Sequence, residues 1–129
     1  MDYSPEVLRR FSSPRRTDVL AERLPGVVEG EAEDRALNVW VRFQIQTREG
    51  RLHRVRFKAF GCPYTIAAAS WVAERLEGHD AGALAGLDVD EIVEALGMPV
   101  ERIGKLLRIE DALRECHRAL QREAEAKGL

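Results

Sequence analysis

The stretch Arg56–Ser70, RFKAFGCPYTIAAAS, contains a change of pattern at Gly61 that decides how the chain folds. Before Gly61 apolar and polar residues alternate, as in a β-strand, and after it an alanine-rich segment has the period of a helix. Cys62 lies at this junction, and Pro63 follows it at the position where a helix tolerates proline best. The stretch therefore predicts a strand that leads directly into a helix, with a cysteine at the helix start.

A thiol at a helix start lies next to unpaired backbone N–H groups and the positive end of the helix dipole. Both effects favour the thiolate, which is the form of cysteine that attacks electrophiles and binds metals. The alternative is a buried cysteine that packs as a small hydrophobic residue. The local sequence leaves both interpretations of Cys62 open.

A β-hairpin precedes the junction. Asn38–Gln46 and Leu52–Phe60 both alternate apolar with polar residues, and Thr47–Gly50 between them has the composition of a turn. In the second strand one predicted face is buried and the other is basic: the first consists of His53, Val55, Phe57 and Ala59, the second of Arg54, Arg56 and Lys58. Further upstream, residues 15–36 predict loops with a short edge strand near Val27-Val28.

Helices are predicted on both sides of the hairpin. Ser4 and Pro5 are residue types favoured at a helix start, and the apolar side of this first helix would consist of Val7, Leu8 and Phe11. Three more helices are predicted: one that follows Cys62 and ends at Gly78, one from the capping box Asp88–Glu91 through Leu96, and one over about Ile109–Lys127. Strands and helices are segregated along the chain. We therefore expect a single domain over residues 1–129 of the α+β class, a small antiparallel sheet of about three strands with helices packed on one face.

Composition excludes several classes of function. The 129 residues carry 20 basic and 22 acidic side chains, a net charge of −2, so no general attraction to nucleic acid or to an anionic membrane follows. No apolar stretch is long enough to cross a bilayer, and the N-terminus MDYSPEVLRRF lacks the apolar core of a secretory signal. Two cysteines do not make a secreted disulfide framework, so we expect a reducing cytoplasmic location.

Motifs of the common enzymes and metal sites are absent. The chain has no C-x-x-C, no H-E-x-x-H, no glycine-rich phosphate loop and no Ser/His/Asp signature, so we do not expect an independent enzyme. Cys116 falls on the apolar face of the last predicted helix, which favours a packing role for that residue. Cys62 is therefore the cysteine whose position favours a reactive or metal-binding role.

Three segments resemble the IscU/NifU N-terminal family of iron–sulfur cluster assembly scaffolds: YSPEVLRRFSSPRR at residues 3–16, EGRLHRVRFKAFGC at residues 49–62, and IEDAL at residues 109–113. In the second of these, Phe60 replaces the tyrosine of the family's Tyr-Gly-Cys motif. MPVER, at residues 98–102, partly matches the family's chaperone-binding segment. The resemblance implies assembly of a [2Fe–2S] cluster from iron and from sulfur delivered by a cysteine desulfurase.

The family's ligand set is three cysteines and an aspartate, and this chain departs from it. Cys62 matches one cysteine, Glu33–Leu37 contains no cysteine but places Asp34 near the first position, and Gly104-Lys105 occupies the third. Lysine cannot replace a thiolate on iron at neutral pH, because its amine is protonated. If Lys105 and Arg35 approach Cys62 as the resemblance implies, both would lower the pKa of its thiol.

Three hypotheses follow from the resemblance. The first is a scaffold-like protein that binds iron or sulfur through Cys62 and Asp34, with further ligands from a partner. The second is an acceptor that resembles the SufE-type proteins, which share this general fold, with Cys62 as the persulfide-accepting thiolate. The third is a non-catalytic interaction module. The expected partners are a cysteine desulfurase and other iron–sulfur assembly proteins; a homodimer is left open, as is the cofactor, which is a weakly held iron–sulfur cluster, iron, zinc or none.

Overall fold

A computed structural model of the chain describes residues 3–21, 23–99 and 103–126. Its elements are α1 (Pro5–Ser12), β1 (Val27–Asp34), β2 (Val39–Arg48), β3 (Arg51–Phe60), α2 (Pro63–Leu76), α3 (Ala83–Gly86), α4 (Val89–Leu96) and α5 (Ile103–Ala126). The three strands form one antiparallel sheet in the order β1-β2-β3. The predicted α+β class, with about three antiparallel strands, is confirmed.

Helices α2 and α5 bury one face of the sheet. The α5 helix packs on β1 and β2, and α2 packs on β3. The buried side chains of this face include Val28, Val41, Phe43, Ile45, Val55 and Phe57. Gly30 on β1 lets α5 approach closely, because a Cβ at this position would lie 2.2 Å from the carbonyl oxygen of Ala112. The sheet and α5 therefore fit together only with glycine at that point.

The hairpin between β2 and β3 differs from the prediction in which residues of β3 are buried. Glu49 and Gly50 form its turn, both with positive φ. The pairing shifts by one residue beside the turn, since Gln46 pairs with Arg54 whereas Thr47 pairs with Leu52. This bulge turns Leu52 into the core, fully buried, while His53 is only half-buried. The prediction that His53 lies on the buried face is therefore wrong.

Strand β1 is longer than its sequence predicts. The sequence indicates a short edge strand near Val27-Val28, whereas eight residues pair with β2. Acidic residues at alternate positions obscure the pattern, but each has a partner on the outer face of the sheet. Glu29 accepts from the Gln44 side chain, Glu31 accepts from the Trp40 indole, and Glu33 pairs with Arg35.

Helix α1 has the predicted start but a different buried face. The Ser4 side chain accepts a hydrogen bond from the Val7 N–H, which confirms the predicted cap. Val7 is buried, but Leu8 and Phe11 are exposed, and Arg10 is buried in their place. The guanidinium of Arg10 is satisfied there by three side chains: Glu6, Ser70 and Glu74. Ion pairing thus places a charged residue on the face that α1 packs against α2.

The later helices follow the predicted signals except at the start of α5. Asp88 caps α4 by accepting from the Glu91 N–H, and Gly97 ends this helix with a left-handed conformation. Helix α5 already includes Ile103, six residues before its predicted start. Gly104 weakens the helical signal of this turn, which explains the late prediction. The predicted end at Lys127 lies outside the described residues.

Candidate functional site

The candidate site lies where β3 ends and α2 begins. Phe60 is the last residue of β3, and Cys62 is the N-cap of α2, with extended backbone angles (φ −78°, ψ 170°). The carbonyl oxygen of Cys62 accepts from the backbone N–H groups of Thr65 and Ile66, which starts the helix. Gly61 is packed closely against Thr65, since a Cβ on this glycine would lie 3.0 Å from the Thr65 hydroxyl oxygen. The predicted junction is thus present, with a tight turn around the cysteine.

The Cys62 sulfur is half-buried and faces hydrogen-bond donors. Its Sγ lies 3.8 Å from Oγ1 of Thr65, whose side chain is fully buried. Burial raises the pKa of the Cys62 thiol, but hydrogen bonds from the backbone and side chain of Thr65 and from the backbone of Tyr64 outweigh it. The charge of Lys105 lowers the pKa further, so the net pKa of Cys62 is below its ordinary value. The environment favours the thiolate, in the direction that the helix-start position predicts.

Lys105 on α5 acts on this site through its charge. The residue is half-buried and lies near the beginning of the described part of that helix. It is therefore part of a helix at the position where the family resemblance implies a ligand. Its ammonium group supplies positive charge near the sulfur and no electron pair for a metal.

The turn between β1 and β2 lies at the same end of the sheet. Strand register shows this, because Asp34 pairs with Val39 while the next residue of β2, Trp40, pairs with Phe60. Oδ1 of Asp34 accepts from the Leu37 N–H at 3.1 Å, so this carboxylate stabilises the turn. The structure places Asp34 near the same edge as Cys62 but shows no bond between them.

Arg35 is not brought to the thiol. Its side chain is 89% exposed and its guanidinium pairs with Glu33. No hydrogen bond or ion pair joins Arg35 to Cys62 in the described part of the chain. An arginine in an exposed turn has no packing to direct it, which is why the expected approach does not follow from its position in the sequence.

The donor set does not fit a cluster held by one chain. Within residues 3–21, 23–99 and 103–126, no group of three or more His, Cys, Asp or Glu side chains is arranged to hold a metal ion. Closed zinc sites and iron–sulfur clusters use four protein ligands in general. Cys62 and Asp34 therefore provide at most part of such a set.

The second cysteine is a core residue, as predicted. Cys116 is fully buried on α5, and its sulfur donates to the carbonyl oxygen of Phe43 at 3.7 Å. Burial raises the pKa of Cys116 to about 12, and the charges of Glu29 and Glu115 act in the same direction. This thiol is inert at neutral pH.

Sequence reasoning missed Thr65. Its position three residues after Cys62 is the spacing at which a capping residue meets the first turn of a helix, and this spacing could have revealed it. The exposure of two apolar side chains near the site, Phe60 and Leu37, was also not predicted. In the segment 98–102, Met98 is buried, while residues 100–102 lie outside the described part of the chain.

Membrane insertion by a helix has no support in the part of the chain that the structure describes, where no helix combines the required length and apolar character.

Comparisons with known proteins agree on one family. The family model described as NifU-like N terminal domain matches residues 2–125. The mitochondrial iron sulfur cluster assembly protein 1 of Kluyveromyces lactis is 30% identical over 114 residues, which are 87% of this chain and 63% of that protein. The iron-sulfur cluster assembly scaffold protein IscU of Escherichia coli K12 is 27% identical over 128 residues, 98% of this chain and 100% of that protein.

Solved structures show the same fold. A candidate iron–sulfur cluster assembly scaffold protein for the SUF system from Fervidobacterium islandicum AW-1 superposes with a TM-score of 0.66 at 15% identity. The match covers 89% of this chain and 96% of that one.

Proposed function

Because the chain belongs to the NifU-like N-terminal domain family, we propose that it acts in iron–sulfur cluster assembly as a scaffold-type protein and not as an independent enzyme. The observation that carries the proposal is the setting of Cys62 at the start of α2, where oriented donors and Lys105 lower the pKa of its thiol. Iron and sulfur are the cargo of such a protein.

The chemistry that Cys62 can perform alone is sulfur acceptance. Its thiolate attacks the terminal sulfur of a persulfide on a cysteine desulfurase, forming a new S–S bond as the old one breaks. The desulfurase cysteine leaves as a thiolate, and Cys62 becomes a persulfide, so the sulfur moves without net oxidation or reduction. The Lys105 charge favours the anionic forms of Cys62 before and after the transfer.

Holding iron requires donors from outside this chain. Cys62 with Asp34 gives two ligands, and the remaining ones would come from an assembly protein or from a second copy in a homodimer. The cluster, or a single iron or zinc ion, is accordingly held weakly. We place this chemistry in the cytoplasm, where thiols stay reduced.

The incomplete ligand set supports a second function, that of a sulfur acceptor alone. One reactive thiolate is all that this function requires, and the described residues provide one at Cys62. The two functions differ in whether iron follows sulfur onto the protein.

One experiment tests both. The purified protein is incubated with a cysteine desulfurase and cysteine and sampled for intact mass spectrometry. Fe²⁺ and a thiol reductant are then added, because persulfide sulfur must be reduced to sulfide before it enters a cluster, and visible absorption is followed. The scaffold proposal predicts the added mass of sulfur and then cluster absorption for the wild type and for Cys116→Ser, but neither for Cys62→Ser. Added sulfur without cluster absorption would support the acceptor function, and the absence of both would contradict both functions.

A further inference from the structure

The buried side chain of Thr65 has a specific relation to the candidate site. Its Oγ1 lies 3.8 Å from the Cys62 sulfur, while its Cβ and Cγ2 would lie 3.1 and 3.3 Å from a Cβ added to Gly61. Among the described residues, the sulfur is the hydrogen-bond partner found for this hydroxyl. One side chain therefore contacts both the turn that presents the cysteine and the sulfur itself.

The direction of this hydrogen bond depends on the state of the sulfur. Either atom can donate when Cys62 is a thiol. A thiolate carries no hydrogen, so Thr65 must then be the donor. The backbone N–H groups of Tyr64 and Thr65 also face the sulfur, and the Thr65 hydroxyl is the side-chain donor found beside them.

We propose that Thr65 is a positioning residue, whose hydroxyl donates to the Cys62 thiolate and holds the sulfur in the orientation that an incoming sulfur donor needs. The inference rests on the proposed function only for the identity of the sulfur donor. The contact between Thr65 and the Cys62 sulfur does not depend on it. Orientation matters because a nucleophile reacts at a useful rate only when it is held close to the line of attack.

The test separates the hydroxyl of Thr65 from its packing. Thr65→Val keeps the branched shape against Gly61 and removes the hydroxyl, whereas Thr65→Ser keeps the hydroxyl. The rate of alkylation of Cys62 by iodoacetamide at pH 7 is measured first, followed by the rate of persulfide formation with a cysteine desulfurase. We expect Thr65→Val to be slower by about threefold to tenfold in both reactions, and Thr65→Ser to stay within about twofold of the wild type.

A matched control removes a hydroxyl elsewhere. Thr47 lies at the opposite end of β2, where its hydroxyl bonds the carbonyl oxygen of Gly26. Thr47→Val should leave the rates at Cys62 unchanged. If Thr65→Val does not fold, Thr65→Ala and Thr65→Ser provide a second pair that differs by the hydroxyl alone, and the alanine variant should be the slower.

Two results would overturn the positioning role. The first is that Thr65→Val reacts as fast as the wild type, or that Thr65→Ala reacts as fast as Thr65→Ser. The second is that variants with and without the hydroxyl are slowed equally, which would indicate that packing alone matters. Alkylation needs no desulfurase, so the two proposals fail separately. If Thr65→Val is alkylated more slowly while the wild type accepts no sulfur from the desulfurase, the positioning role is supported and the proposed function is rejected.

Discussion

Cys62 and Cys116 carry the same side chain in two regions of opposite character. Cys62 caps α2 at one end of the sheet, half-buried, and Cys116 lies fully buried between α5 and the sheet. Burial raises the pKa of both thiols. At Cys62 the donors of Thr65 and Tyr64 and the charge of Lys105 outweigh burial, whereas at Cys116 the nearby carboxylates add to it. Burial is the main reason that Cys116 is inert, whereas at the less buried Cys62 the donors and a positive charge reverse the effect of burial.

The largest expected effect is a difference in alkylation between the two cysteines of the native protein. A thiolate fraction changes tenfold for each pKa unit, so at pH 7 iodoacetamide should label Cys62 at least about a thousandfold faster than Cys116. Labelling of Cys62 should also begin to rise at a lower pH than in the denatured chain, because its pKa is lowered by folding. Peptide mass spectrometry measures both rates. Comparable alkylation rates for Cys62 and Cys116 in the native protein would contradict this prediction. In denaturant the two rates should converge.

A second prediction concerns the close approach that buries Cys116. In Gly30→Ala, the added methyl group would meet the Ala112 carbonyl and the Cys116 sulfur at 2.2 and 2.8 Å. We expect a loss of about 3 kcal/mol in the free energy of unfolding, measured by urea denaturation, together with faster labelling of Cys116.

The control for this substitution is Gly104→Ala on α5. An added Cβ there meets open space, so the variant should gain about 0.5–1 kcal/mol from helix propensity. A Gly30→Ala variant as stable as the wild type would contradict the close approach of α5 to β1 at this position.

The third prediction compares removal of each sulfur. Cys116→Ala leaves a small cavity in the core and should cost about 1–2 kcal/mol in the free energy of unfolding. Cys62→Ala should cost less, under about 1 kcal/mol, because Cys62 is only partly buried and its removal forfeits a weak sulfur contact of 3.8 Å with the Thr65 hydroxyl. Denaturant titration of both variants gives the order, and a reversed order would make Cys62 the structural cysteine.

The smallest expected effect comes from the charge on α5. Lys105→Gln should raise the pKa of Cys62 toward its ordinary value and shift its alkylation profile to higher pH. We expect a rate about twofold lower at pH 7 and low salt, with a smaller difference at high salt because ions screen the charge. Arg35→Gln is the control, since Arg35 is exposed and paired with Glu33. An equal effect of both variants would indicate long-range charge without a specific place for Lys105.

The sequence predicted most of the architecture because its patterns are local. Alternation gave β2 and β3, Ser4 and Asp88 marked helix starts, and the apolar face of the last helix placed Cys116 in the core. It failed where partners distant in sequence decide. Glu29 and Glu31 of β1 accept hydrogen bonds across the sheet from Gln44 and Trp40, and the buried Arg10 forms an ion pair with Glu74.

The candidate site divides in the same way. The place of Cys62 at the start of α2 follows from Gly61 and Pro63, which are its neighbours in the sequence. Thr65 was within reach of the same reasoning through its capping distance. Whether Lys105 and Arg35 approach the sulfur depends on how α5 and the β1–β2 turn pack, and only one of the two does.

The sequence by itself determined that a thiol stands at the start of a helix, because helix starts and strand ends are set by residues a few positions apart. Only the tertiary structure decided which groups surround each sulfur: the buried hydroxyl of Thr65 and the charge of Lys105 at Cys62, and the carboxylates at Cys116. Those surroundings come from packing between elements up to tens of residues apart in the chain. A pKa depends on distances in space, so the reactivity of the thiol was fixed only by the fold.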